Sequence, residues 1–155
     1  MDAYALTGMG IENRDEVPGQ SASGEKWEAD VLFSASGRTI AIELQRSYQH
    51  LRDFTRRQER YAASGVECYW LVRKETFRTL GKATSRLLLK RDFGNVFPPH
   101  GIGTGMLPEL PVAMLDIEGA QLVQFGGFKT ATVSVWLTGI LSGAYQYRGG
   151  SWNLD

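Results

Sequence analysis

Two alternating runs that meet at Ser36-Gly37 constrain this chain more than any other feature. Trp27–Phe33 (WEADVLF) and Thr39–Gln45 (TIAIELQ) each switch between apolar and polar residues, and a Ser-Gly pair between such runs suits a two-residue hairpin turn. With those two residues as the turn, Asp30 faces Glu43 and Glu28 faces Gln45. Side chains alternate between the faces of a strand. The four polar groups therefore share one face, and Ala29, Val31, Phe33, Ile40, Ile42 and Leu44 share the other. The expectation is a hairpin with one core face and one small acidic face.

The next stretch changes period. His50–Ala63 reads as a helix, with Leu51, Phe54, Tyr61 and Ala62 forming its apolar stripe. Ser47 suits an N-cap, with Tyr48 and Gln49 in the first turn, and Gly65 suits the position just past the helix end. Arg52, Arg56 and Arg60 step down a different side. Val66–Val72 is then a short, almost continuously apolar run, the pattern of a central strand. Cys68 lies within it as a buried small hydrophobe; as the only cysteine it excludes an internal disulfide and a cysteine-based zinc site.

Outside this centre the pattern is more broken. Residues 1–26 are interrupted by Gly8, Gly10, Pro18, Gly19 and Gly24, which leaves room for a short strand near Ala3–Met9 but not for a long helix. Arg78, Lys82, Arg86 and Lys90 recur every four residues and would form a positive stripe on a helix that Gly81 interrupts. Pro98–Pro111 reads as a loop, and its GIGTG lacks the Gly-Lys-Ser/Thr of a phosphate-binding loop. Val112–Ile117 and Gln121–Phe125 flank Glu118-Gly119-Ala120 as a second hairpin. Thr130–Ser142 is an amphipathic helix on Val133, Trp136, Leu137, Ile140 and Leu141. Tyr145–Arg148 and Ser151–Asn153 close a last hairpin over Gly149-Gly150, whose aromatics read as core.

With 155 residues, 43% of them hydrophobic, the chain suits one domain with an adequate core. No apolar run approaches the roughly 18 residues a membrane span needs, and no basic flank precedes an apolar segment at the start; the cytoplasm is the expected compartment. The net charge of zero conceals an asymmetry: residues 1–44 carry eight acids and three bases, residues 45–91 twelve bases and four acids. A basic region of that size attracts polyanions, although a charged helix face also serves simple solvation.

Two carboxylates facing each other across a hairpin stand too close for the two-carboxylate hydrolysis of a sugar. Like charges at that spacing are costly unless a proton or a cation lies between them. A hard divalent cation answers this, and Mg²⁺ takes one or two carboxylates together with waters and a substrate phosphate. An exposed, merely solvated sheet face is the alternative. His50 and His100 stand in no metal-ligand spacing, and no Gly-x-Ser-x-Gly elbow occurs.

Asp30, then Glu43-x-Gln45, Ser47, Phe54, Arg57 and Tyr61, then Trp70-Leu71, resemble in order and spacing the nuclease-like family of the competence protein CoiA, within the PD-(D/E)XK nuclease superfamily. The resemblance covers residues 27–72. It implies an α/β domain with a mixed central sheet flanked by helices, a restriction-endonuclease-like core, to which residues 112–155 add a hairpin and a helix. It implies a DNA-hydrolysing enzyme whose Mg²⁺ (or Mn²⁺) is held by Asp30 and Glu43, with the Leu44 carbonyl as a further candidate ligand. Gln45 stands where the superfamily usually has lysine and would orient the attacking water or a phosphate oxygen. Arg46, Ser47, Arg57 and Tyr61 are candidate nucleic-acid contacts, and Glu28 is the candidate third acid. Arg57 has a second reading as the partner of Asp53, one helical turn away, and Ser47 as a cap. The superfamily's leading helix has no evident counterpart in residues 1–26. A module of this fold that binds nucleic acid without turnover is the competing expectation, and self-association is compatible with either.

Overall fold

The computed structural model describes residues 13–20, 26–45, 47, 49–99, 103–116 and 122–154, with the backbone alone described for 13–29. The hairpin forms as its sequence dictates. β2 (Lys26–Ala35) and β3 (Arg38–Gln45) pair antiparallel, with Ala35 opposite Arg38 and Val31 opposite Ile42. Ser36 (φ 52°) and Gly37 (φ 77°) both take the left-handed backbone that a type I′ turn requires. Upstream, β1 (Asn13–Gln20) adds an antiparallel strand to β2 that the Pro18-Gly19 pair conceals in the sequence. It is the outermost strand of the sheet, where a proline removes no needed donor. The expected strand near Ala3–Met9, and the place of any leading helix before Asn13, lie outside the described residues.

From β3 the chain crosses through α1 (Leu51–Ala63) to β4 (Val66–Val72), which lies parallel to β3. α1 begins one residue later than expected, and its N-cap is His50 with no side-chain cap; Ser47 caps nothing. Ser47 instead accepts from Gln45 Nε2 through its Oγ at 3.2 Å and its carbonyl at 3.1 Å, which holds it back on the strand side of the connection. Gly65 (φ 72°) ends the helix as anticipated. Ala62, assigned to the apolar stripe, is exposed, and the sheet-facing side also carries Gln58, which accepts from Trp70 Nε1 (2.7 Å) and donates to the Cys68 carbonyl (3.0 Å).

α2 (Lys74–Asp92) then runs unbroken through Gly81. Its buried residues Thr76, Leu80, Thr84 and Leu88 recur every four positions, while Arg78, Lys82, Arg86 and Lys90 are all exposed on another side. β5 (Val112–Leu115) returns parallel to β4. β6 (Leu122–Gln124) and β7 (Thr130–Thr132) extend the sheet antiparallel, with a 3₁₀ turn at Gly126–Phe128 between them. α3 (Val133–Ser142) starts three residues later than expected, capped by Thr132, whose hydroxyl accepts from the Val135 amide. β8 (Tyr145–Arg148) and β9 (Ser151–Leu154) form the last hairpin over Gly149-Gly150.

The result is an α/β domain whose described residues form a mixed seven-stranded sheet in sequential order β1 to β7. Both faces are covered. Val31, Phe33, Ile40, Ile42, Tyr69 and Leu71 pack under α3 and the β8–β9 aromatics. Ala41, Cys68, Trp70 and Val72 pack under α1 and α2. The hairpin face expected to be open and acidic is therefore a second core, with the acids at one end of it. No helix among the described residues is long and apolar enough to cross a membrane.

Candidate functional site

Glu43 lies on β3 directly beneath α1 and is 3% exposed. Two α1 side chains one turn apart reach it: Tyr61 donates its hydroxyl to Oε1, and Arg57 brings Nη2 to 3.3 Å from Oε2. Tyr61, part of the apolar stripe of the helix and a candidate nucleic-acid contact by sequence, is buried as a helix–sheet contact with its hydroxyl on Glu43. Arg57 does not act as the helical partner of Asp53. Its Nη1 donates to Gln45 Oε1 at 2.9 Å, and its guanidinium lies 4.7 Å from the centre of the Trp70 ring. Trp70 is wedged edge-on against Phe54 at 5.0 Å. The aromatic packing of α1 on β4 thus aims Arg57 at the end of β3.

Asp30 enters from β2. The β2–β3 ladder stops at the Val31–Ile42 pair, and beyond it Asp30 Oδ2 accepts from the Leu44 amide at 2.7 Å. A carboxylate thus takes a backbone donor where the strands part, beside Glu43. The two acids meet as expected; the predicted Glu28–Gln45 opposition does not form. Glu28 pairs through its backbone with Pro18 on β1, and its carboxylate lies outside the described residues, as does Arg46.

Burial pushes the Glu43 carboxyl up from 4.5 to about 7; the Tyr61 hydrogen bond and Arg57 pull it down, and the Asp30 carboxyl adds to the rise. Burial and the adjoining Glu43 push the Tyr61 phenol far above its ordinary value, so it stays a donor. One arginine does not neutralise two neighbouring carboxylates in this setting. Two hard oxygen groups side by side, one of them raised chiefly by burial and further by its neighbour, fit a hard divalent cation. Among the described residues no third His, Cys, Asp or Glu joins them.

The sequence missed Gln58, which ties α1 to β4, and the double role of Arg57. The signal for the second was available: Arg57 and Tyr61 are one turn apart, and Glu43 lies near the end of the strand they must cross.

A carboxylate pair where a hairpin opens, with Glu43 held by the crossover helix of a mixed sheet, is consistent with a nuclease-like α/β fold. Residues 23–92 match the family model described as "Competence protein CoiA, nuclease-like domain", the family that residues 27–72 resemble. No curated protein matches the chain. One solved structure, titled "Crystal Structure of Protein of Unknown Function AF1548", aligns with 97% of this chain and 76% of its own at 12% identity, with a TM-score of 0.41, too distant a likeness to carry an argument.

Proposed function

We propose that this domain is a Mg²⁺-dependent deoxyribonuclease, served also by Mn²⁺, that hydrolyses DNA phosphodiester bonds. The observation that carries the reading is the buried Glu43 carboxylate, pushed up to about 7 beside Asp30, a state that a divalent cation would relieve. Asp30 and Glu43 would hold the ion. When bound, it would polarise the scissile phosphate and lower the pKa of its water. Tyr61 and Arg57 fix the Glu43 carboxylate, so that its oxygens need not reorganise. Arg57 also fixes Gln45 through its oxygen, which leaves the Gln45 amide nitrogen, now on Ser47, as the donor for a water or a phosphate oxygen. Arg52, Arg56 and Arg60 would follow the phosphate backbone, a sequence-independent contact.

A second reading has its own observation. Both Glu43 oxygens are already engaged, by Tyr61 and Arg57, and a neutral glutamine stands in the lysine position. A module that binds DNA and does not cut it would have these features. Incubation with labelled single-stranded, duplex and flap DNAs in Mg²⁺, Mn²⁺ and EDTA separates the two. Cleavage in both metals and none in EDTA is expected; salt-dependent binding without cleavage in any arm would favour the binding module.

A further inference from the structure

We propose that a groove along the rim of the sheet binds an unpaired nucleic-acid strand and leads it toward the Asp30–Glu43 end of β3; this names the substrate form for the nuclease reading and rests on it. Gln45, Val72, Met114 and Gln124 are register partners in successive strands, β3 to β6. Because β3, β4 and β5 are parallel, the row lies at their carboxyl ends, outside which ligand crevices open in α/β sheets. Immediately beyond Val72, a cleft of about 610 Å³ begins at Arg73 and Lys74 and passes Met114 and Gln124; Glu75 and Asp116 also line it. At Lys74, Met114 and Gln124 it joins a second groove of about 790 Å³, whose charged lining among the described residues is Lys74 and Arg78.

The far wall of that second groove is almost bare backbone. The Gly103 amide donates to the Gly149 carbonyl at 2.9 Å, and a Cβ on Gly150 would collide with the Gly103 backbone. Gly150 therefore has no room for a side chain, and Gly103 leaves little for one. At Gly105 a Cβ would meet nothing within 4 Å, so the trough is open there.

On the rim stands Phe128, 87% exposed. Its φ of 59° is a left-handed backbone that a bulky residue seldom adopts, and it holds the ring out in solvent. An exposed ring, two cations and a smooth glycine wall match what an unpaired strand offers: a base face to stack and phosphates to neutralise. A duplex keeps its base faces to itself.

The test is fluorescence anisotropy in EDTA with a short labelled oligothymidylate and a blunt hairpin duplex of equal phosphate count. Phe128→Ala is expected to weaken oligothymidylate binding about tenfold and duplex binding by no more than about twofold, with Phe128→Trp restoring the first. Arg78→Ala and Gly105→Glu should also weaken the single strand. Oligothymidylate binding unchanged by Phe128→Ala, or both ligands weakened equally, would overturn the proposal. Because no cleavage is required, the outcomes separate. A chain that binds the single strand through Phe128 but never cuts sinks the nuclease reading and keeps the groove. A chain that cuts and ignores Phe128 sinks only the groove.

Discussion

The molecule contains the same three residue types, arginine, glutamate and tyrosine, joined in two places with opposite results. At the start of β3, Arg38 makes a two-pronged bond to Glu67, 2.7 Å and 2.8 Å, and Tyr69 donates to the same carboxylate at 2.9 Å. Arg38 also donates to the Ile140 and Leu141 carbonyls at the end of α3, where a cation suits the helix terminus. There the charges close on one another, and Arg38 and Tyr69 hold the half-exposed Glu67 below its ordinary range. At the other end, Arg57 reaches Glu43 with one 3.3 Å contact and divides its donors with Gln45, while Asp30 brings a second negative charge. The first triad is complete and ties α3 to the sheet. The second sets one arginine against two carboxylates, the shortfall on which the proposed metal site rests.

The largest expected difference between the two is catalytic. Asp30→Asn and Glu43→Gln should each lower metal-dependent cleavage by on the order of a thousandfold or more, since each would remove a proposed metal ligand. Glu67→Gln should leave the rate unchanged. Equal losses from Glu43→Gln and Glu67→Gln, measured on folded protein, would erase the distinction.

Gln45→Ala should cost on the order of a hundredfold in rate with little change in DNA affinity, as for one lost preorganised donor, and Gln45→Lys should keep part of the activity. A Gln45→Ala enzyme as fast as the parent would remove the role assigned to that amide.

The triads should also differ in their response to pH. Glu43 holds a proton in the folded metal-free protein that the unfolded chain releases. Its contribution is therefore whole below pH 4.5 and is lost as pH rises to about 7, by about 3 kcal/mol at most. Glu67 has the opposite sign, since its carboxyl is lowered: its contribution is present above the ordinary glutamate range and is lost as pH falls through its folded value. Urea unfolding in EDTA across this range should show a decline toward neutral pH that Glu43→Gln abolishes. The same decline in parent and mutant would contradict the assignment.

The smallest effect belongs to the closed triad. Arg38→Ala should destabilise by roughly 1–2 kcal/mol, a sum of charged hydrogen bonds discounted for partial exposure. Cleavage at a temperature where the variant is folded should not change; a loss of rate there would give the closed triad a part in the chemistry.

Much of this was legible in the residues. The hairpin register followed from a two-residue turn with alternating flanks, and the central strand, second hairpin and final hairpin followed from equally local patterns. What escaped were features set by contacts distant in sequence. β1 carries Pro18 and Gly19, and only its position at the sheet's edge makes them harmless. The polar face of the hairpin looked open because nothing in WEADVLF says that α1 will fold over it. Asp30 and Glu43 were legible as neighbours, whereas the parting of the strands that turns Asp30 to the Leu44 amide was not. The closed triad was invisible: Arg38, Glu67 and Tyr69 come from two strands whose pairing only the fold establishes.

The measurement that bears most directly on the contrast between the two triads is the Mg²⁺-dependent shift in melting temperature. It compares the parent, the Asp30→Asn/Glu43→Gln double variant and Glu67→Gln. An ion that binds the folded state alone must raise the melting temperature with its concentration. The parent and Glu67→Gln should rise together, and the double variant should not respond. A shift in all three, or in none, would contradict a metal site at the end of β3.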